Sequence, residues 1–260
     1  MQAELTIEPC HLPTDKAVEL FRQTGCLAIR NFLPAATIEA LSRRIDRVLA
    51  NGSPEGAYIT VGNDRQMFPV PIDGVCDDEA IYAPESLREL LAELLGPKFV
   101  INCFTCVNAA PGAPDQHLHR DYDGLFQDKV DSFCPPFAVN LFIPLVEMNE
   151  RNGTTRFWPG SHRRPDTSET PDPGKAIDPR LSPGDALLLD YRVMHHGTAN
   201  RSSRNRPILC LAYSRDWFLD TRHYGGMNPL QIDEASLQGR DADVQQLFSR
   251  ASIWRRPSGL

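Results

Sequence analysis

The chain predicts an α+β fold whose β part closes as a barrel or sandwich. Three observations carry this expectation. Helical spacing of apolar residues dominates before residue 97. Short runs of strand character fill the stretch from Phe99 to Ser214. Gly- and Pro-containing turn clusters separate those runs.

Residues 14 to 23 predict a short helix, with Thr14 as N-cap and Gly25 as the stop. Cys26 to Arg30 is a short apolar strand. A second helix near 35 to 50 carries Ile38, Leu41, Ile45 and Val48 at helical spacing and ends at Asn51-Gly52. Residues 52 to 80 mix Gly, Pro and Asp without clear periodicity, which predicts a long, partly ordered loop of the kind that serves as a lid. The next helix has Pro84 in its first turn, a stripe of Leu87, Leu90, Leu91 and Leu94, and a stop at Gly96-Pro97. Strands are then expected at Phe99–Asn108, Phe137–Val146, Thr154–Trp158, Ala186–Asp190 and Pro207–Ser214. Residues 163 to 176 are polar and Pro-rich, an expected exposed insertion.

Length and composition bound the rest. The 260 residues, 41% hydrophobic and 23% charged, are expected to form one domain with a sizeable core. Its expected parts are a helical portion over about 1–97, a β core over about 98–218 and a C-terminal extension over 219–260. A net charge of -7 argues against a nucleic-acid backbone as partner. No run of eighteen apolar residues exists, so no membrane span is expected, and the N-terminus lacks a signal pattern, so a cytoplasmic home is expected. Seven scattered cysteines do not form a disulfide framework. In Cys103-x-x-Cys106 the two thiols face opposite sides of a strand, which predicts buried thiols rather than a shared metal.

The chemistry centres on Gln116-His117-Leu118-His119-Arg120-Asp121. On an extended strand His119 and Asp121 share a face, so both could grip one metal ion. Alone, the pair reads more readily as a surface strand pair. His117 shares that face and could be a ligand, a supporting donor or a substrate contact. A third ligand must come from elsewhere, and His195-His196-Gly197-Thr198-Ala199-Asn200 is the candidate stretch. Neighbouring histidines on a strand face opposite ways, so at most one reaches the metal. Two His and one carboxylate, with open positions opposite, is the ligand set of non-haem Fe(II) oxygenases. Arg206 heads the apolar run Pro207–Tyr213 and needs an anionic partner, which a dicarboxylate cosubstrate would provide.

Four blocks together resemble the phytanoyl-CoA dioxygenase family of Fe(II)/2-oxoglutarate oxygenases. They are Gln116 to Asp121; Asn152-Gly153-Thr154-Thr155-Arg156-Phe157-Trp158-Pro159-Gly160-Ser161-His162; Pro183-Gly184-Asp185; and His195 to Ser202 with Arg206. The similarity runs from about residue 15 to residue 218. It implies a double-stranded β-helix (jelly-roll, cupin-like) core with flanking N-terminal helices. It implies that His119, Asp121 and His195 hold iron. His195 is preferred to His196 because the family's distal His precedes the Asn of its block by five residues and the Arg by eleven, as Asn200 and Arg206 follow His195. Arg206 would bind the distal carboxylate of 2-oxoglutarate, with Thr155 and Gln116 as further cosubstrate contacts. The Trp158–His162 block is expected to be architectural.

The activity so implied is oxidation, above all hydroxylation, of an unactivated C–H in a small molecule, using O2 and releasing succinate and CO2. Asp121 argues against a halogenase, which has a small residue there. Tyr58, Met67, Phe68, Tyr122, Phe126, Phe133, Trp217, Phe218, Tyr224 and Met227 are the expected pocket residues, suited to a partly apolar specialised metabolite. Two alternatives stay open at this point. One is a cupin-like metal enzyme that does not use 2-oxoglutarate; the other is a non-catalytic β-helix protein that binds a small ligand.

Overall fold

A computed structural model describes residues 6–7, 14–51, 59–126, 128–164, 171–222, 224 and 226–254. Its strands are β1 (Thr6–Ile7), β2 (Cys26–Ile29), β3 (Ile59–Thr60), β4 (Arg65–Pro69), β5 (Val100–Ala109), β6 (Ala138–Pro144), β7 (Thr155–Phe157), β8 (Ala186–Asp190), β9 (His195–Gly197), β10 (Arg206–Ser214), β11 (Gln231–Asp233) and β12 (Ser252–Trp254). The helices are α1 (Thr14–Thr24), α2 (Ala35–Asn51), α3 (Glu79–Tyr82), α4 (Glu85–Leu95), α5 (Glu234–Leu237) and α6 (Ala242–Leu247). Among them none is long and apolar enough to cross a membrane.

Eight strands join in one sheet in the order β1-β2-β8-β6-β10-β5-β4-β3, antiparallel except for the β1–β2 pair. A short second sheet pairs β7 with β9. Bridges widen it on both sides, His119 to His195 and Phe157 to Ile177.

The large sheet is buried on both faces, and strand alternation sorts its residues. One face carries Phe104, Cys106, Val139, Leu141, Ile143, Leu209, Leu211 and Tyr213 into the main core. There they meet Phe21 of α1, Leu41 and Ile45 of α2, and the leucines of α4. Each fully buried leucine contributes about 1.5–3 kcal/mol of hydrophobic stabilisation, so the α4 stripe helps to anchor the helical layer. Pro84 is the N-cap of α4, one position outside the first turn, and Gly96 ends the helix at φ +88° with its N–H on the Ala92 carbonyl at 2.8 Å. The other face turns Cys103, Asn140, Phe142, Ile208 and Cys210 toward a cavity. Cys103 and Cys106 therefore do lie on opposite faces as buried thiols.

One expectation needs correction. Within the expected lid, residues 59–69 form a hairpin, β3–β4, laid on the edge of β5; residues 52–58, including Tyr58, fall outside the described residues. Ladder bonds to β5, not periodicity, make this strand. Described residues of the C-terminal segment pack on the same core. Ile232 bridges Ile72, and Val244, Leu247 and Phe248 pack with Tyr82, whose ring lies 5.2 Å from that of Phe248.

Candidate metal centre

His119, Asp121 and His195 each offer a ligand atom, and these atoms lie within 4.8 Å of one another. His119 Nε2 is 3.9 Å from Asp121 Oδ1, and His195 Nε2 is 3.7 Å from Asp121 Oδ2. Each ring has its Nδ1 2.9 Å from a backbone carbonyl, that of His117 for His119 and that of Val193 for His195. A carbonyl only accepts, so Nδ1 carries a proton and Nε2 is the atom turned toward the carboxylate. Burial, working against the pull of Asp121, moves the His195 pKa down to about 4, so the ring is a neutral donor at ordinary pH.

The elements that place these groups differ. His195 stands on β9, opposite Phe157 of β7. The turn before it is braced by Ser161, whose hydroxyl accepts from Met194 N at 2.8 Å and donates to the Trp158 carbonyl at 2.6 Å. His196 points the other way and stacks on Trp158, ring centroids 5.9 Å apart. The segment carrying His119 and Asp121 is not the expected strand. Its backbone bonds recur every third residue: Gln116 N to Gly197 O, His119 N to His195 O, Tyr122 N to Tyr191 O. Within 116–122 His119 forms the one β-bridge, so ladder pairing does not set the face of Asp121. Asp121 instead accepts a 2.5 Å hydrogen bond from Asn140 Nδ2. His117 borders the cavity, with its ring 5.1 Å from that of His119, outside the ligand cluster.

Arg206 is 3% exposed. Its Nη1 donates to the Thr198 carbonyl at 2.9 Å, and its Nε has no partner. Among the described residues no carboxylate pairs with it, and burial, reinforced by repulsion from Arg65, lowers its pKa to about 10. Gly153 makes its room: a Cβ there would come within 2.3 Å of Nη1. Thr155 of β7 borders the same cavity. Gln116 borders it too, but both ends of its amide are engaged, Oε1 accepting from Gly197 N at 2.8 Å and Nε2 donating to Val61 O at 2.5 Å. It ties the β3–β4 hairpin to β9.

Two residues escaped the sequence reading. Arg65, 1% exposed, donates to the Pro114 carbonyl and, at 2.9 Å, to the Thr198 carbonyl that Arg206 also uses. Asn140 was a lone amide inside the apolar run Phe137–Val146, and that isolation was the available signal. The pocket list also needs correction. Of those aromatic and methionine residues, Met67 and Tyr224 border the cavity. Phe68 packs in the main core, Met227 is buried elsewhere, and Tyr122 and Phe218 pack against Phe137. Phe126, Phe133 and Trp217 are exposed. The walls are instead Ile59, Val107, Phe142, Ile208 and the two thiols of Cys103 and Cys210, around a cavity of about 400 Å³.

The comparisons with known proteins agree with this architecture. The SnoN epimerase, a non-heme alpha ketoglutarate dependent enzyme from nogalamycin biosynthesis, superposes with a TM-score of 0.60 over 84% of this chain and 90% of its own, at 17% identity. HygX from Streptomyces hygroscopicus, solved with nickel, 2-oxoglutarate and hygromycin B, gives 0.60 over 79% and 88%, at 16% identity. The large sheet with its helices is thus the expected jelly-roll core. Dioxygenase cdmA of Talaromyces verruculosus is 29% identical over 211 residues, 76% of this chain and 72% of cdmA. The family model for phytanoyl-CoA dioxygenase matches residues 21–208, and the chain belongs to that family.

Proposed function

We propose that this chain hydroxylates an unactivated C–H bond of a small, partly apolar molecule, with iron(II), 2-oxoglutarate and O2. One observation carries the reading: a two-His, one-carboxylate cluster and a buried Arg206 without a carboxylate partner border the same apolar cavity. The donor set suits iron(II). A desolvated guanidinium with an unpartnered Nε suits the far carboxylate of a dicarboxylic acid, which it can hold bidentately. When bound, the iron and cosubstrate supply the O2-derived oxidant and release succinate and CO2.

The residues of the chain do the remaining work. His119 and His195 present Nε2 because the His117 and Val193 carbonyls hold their Nδ1 protons. Thr155 and Arg206 both border the cavity. Ile59, Met67, Val107, Phe142 and Ile208 exclude water and hold the substrate skeleton. Arg222 lies over the Tyr122 ring at 4.3 Å and adds a polar contact at the cavity. The volume falls within the roughly 300–1,000 Å³ of small-molecule sites. The association of SnoN with nogalamycin and of HygX with hygromycin B supports a specialised metabolite as substrate. The helical part, β core and C-terminal segment act as one domain in this reading. A metal enzyme that ignores 2-oxoglutarate would leave the burial of Arg206 without a use.

Succinate formation from 2-oxoglutarate under air, with iron(II) supplied, tests the proposal. His119→Ala and Asp121→Ala are expected to lose it while remaining folded. Full succinate formation in either variant contradicts the reading.

A further inference from the structure

We infer that Asn140 is the positioning residue that aims the Asp121 carboxylate at the metal. This rests on the oxygenase reading above. Within segment 116–122 His119 forms the one β-bridge, so no ladder pairing fixes the direction of residue 121. Asn140 stands on a far better braced element. Its backbone position in β6 pairs with Leu189 of β8 on one side and Ala212 of β10 on the other. Val139 and Leu141, its neighbours, enter the main core, so alternation sends the amide to the cavity side.

The side chain is 5% exposed and Nδ2 donates to Asp121 Oδ2 at 2.5 Å. Its Oδ1 is approached by the Cys210 thiol at 3.9 Å. The reverse amide orientation would set an oxygen against the carboxylate, so chemistry fixes which end is which. With Oδ2 held, Oδ1 faces His119 Nε2 and Oδ2 faces His195 Nε2. A rigid sheet thereby lends its order to a ligand on an irregular segment, through one hydrogen bond. Outer partners of this kind hold metal ligands in the orientation the ion requires.

The test is an anaerobic titration of iron(II) into protein saturated with 2-oxoglutarate, followed by the visible band of the iron–keto-acid chelate. Wild type, Asn140→Leu and Asn140→Ala are compared, with thermal unfolding of each metal-free protein alongside. Iron(II) affinity is expected to fall roughly 10- to 100-fold in Asn140→Leu, with the metal-free unfolding midpoint at or above that of wild type. Asn140→Ala is expected to lose less affinity than the Leu variant, because water entering the gap restores part of the hydrogen bond. A packing role predicts the reverse order, and that order overturns the inference. So does wild-type affinity in Asn140→Leu, or in Asn140→Ala should the Leu variant not fold. A wild-type protein that gives no band defeats the oxygenase reading itself; a wild-type band that both substitutions leave unchanged defeats this inference alone.

Discussion

The downstream and upstream halves of the metal centre are held in different ways. His195 and Arg206 stand on strands, β9 and β10, whose ladders set their direction. His119 and Asp121 lie on a segment with one β-bridge, and Asp121 depends on a side-chain bond to Asn140. Backbone pairing tolerates side-chain change nearby, whereas a ligand aimed by one hydrogen bond does not. The upstream half is therefore where outer-sphere substitutions should matter most.

The largest effect should come from removing a ligand of either half. Asp121→Ala and His195→Ala are both expected to lose iron(II) binding beyond the roughly 10–100-fold typical of an outer partner. Equilibrium dialysis of iron checks this, and retained binding in one of them would show that the halves do not share a metal. Next comes Arg206→Ala. Leaving a buried charge partner unmatched costs about 2–5 kcal/mol, so the KM for 2-oxoglutarate should rise roughly 30-fold or more at tenfold per 1.4 kcal/mol. Iron(II) binding without 2-oxoglutarate should be unchanged, because Arg206 is not among the clustered ligands.

Gly197→Ala probes the seam between the halves. A Cβ there would lie 2.6 Å from Gln116 Oε1 and 3.1 Å from Arg206 Nη2. Overpacking of this kind costs about 1–3 kcal/mol, measurable by denaturant unfolding, and should also weaken 2-oxoglutarate. The smallest effect is on pH dependence. Burial lowers the pKa of His162, His196 and His195, the last to about 4. The unfolded chain then binds more protons as pH falls below the ordinary histidine value of about 6.5. Stability of the metal-free protein is present above that pH and is lost toward pH 4, through the lowered folded values. Thermal midpoints across this range check it, and bound iron(II) should resist the loss until protons displace it.

Much of the frame was legible in the sequence. The leucine stripe of α4 and the runs that became β5, β6, β8 and β10 were readable because dense apolar patterning and turn clusters leave few other arrangements. The β3–β4 hairpin was not, because Arg65-Gln66-Met67-Phe68-Pro69 lacks alternation and its charge is buried by carbonyls far along the chain. The candidate ligands could be named from motif and family resemblance, but the manner of their support could not. Whether His-x-Asp rides a strand depends on partners more than seventy residues away. The aromatic residues failed as pocket markers because composition says nothing of which sheet face a side chain takes: Phe68 chose the helices, while Phe142 chose the cavity.

The most direct measurement is the visible spectrum of the anaerobic protein with iron(II), before and after 2-oxoglutarate is added. A chelate band that needs both components, is absent in Asp121→Ala and is weakened in Arg206→Ala at the same cosubstrate concentration is the predicted result. Iron bound by the wild-type protein with no band at saturating 2-oxoglutarate would contradict it.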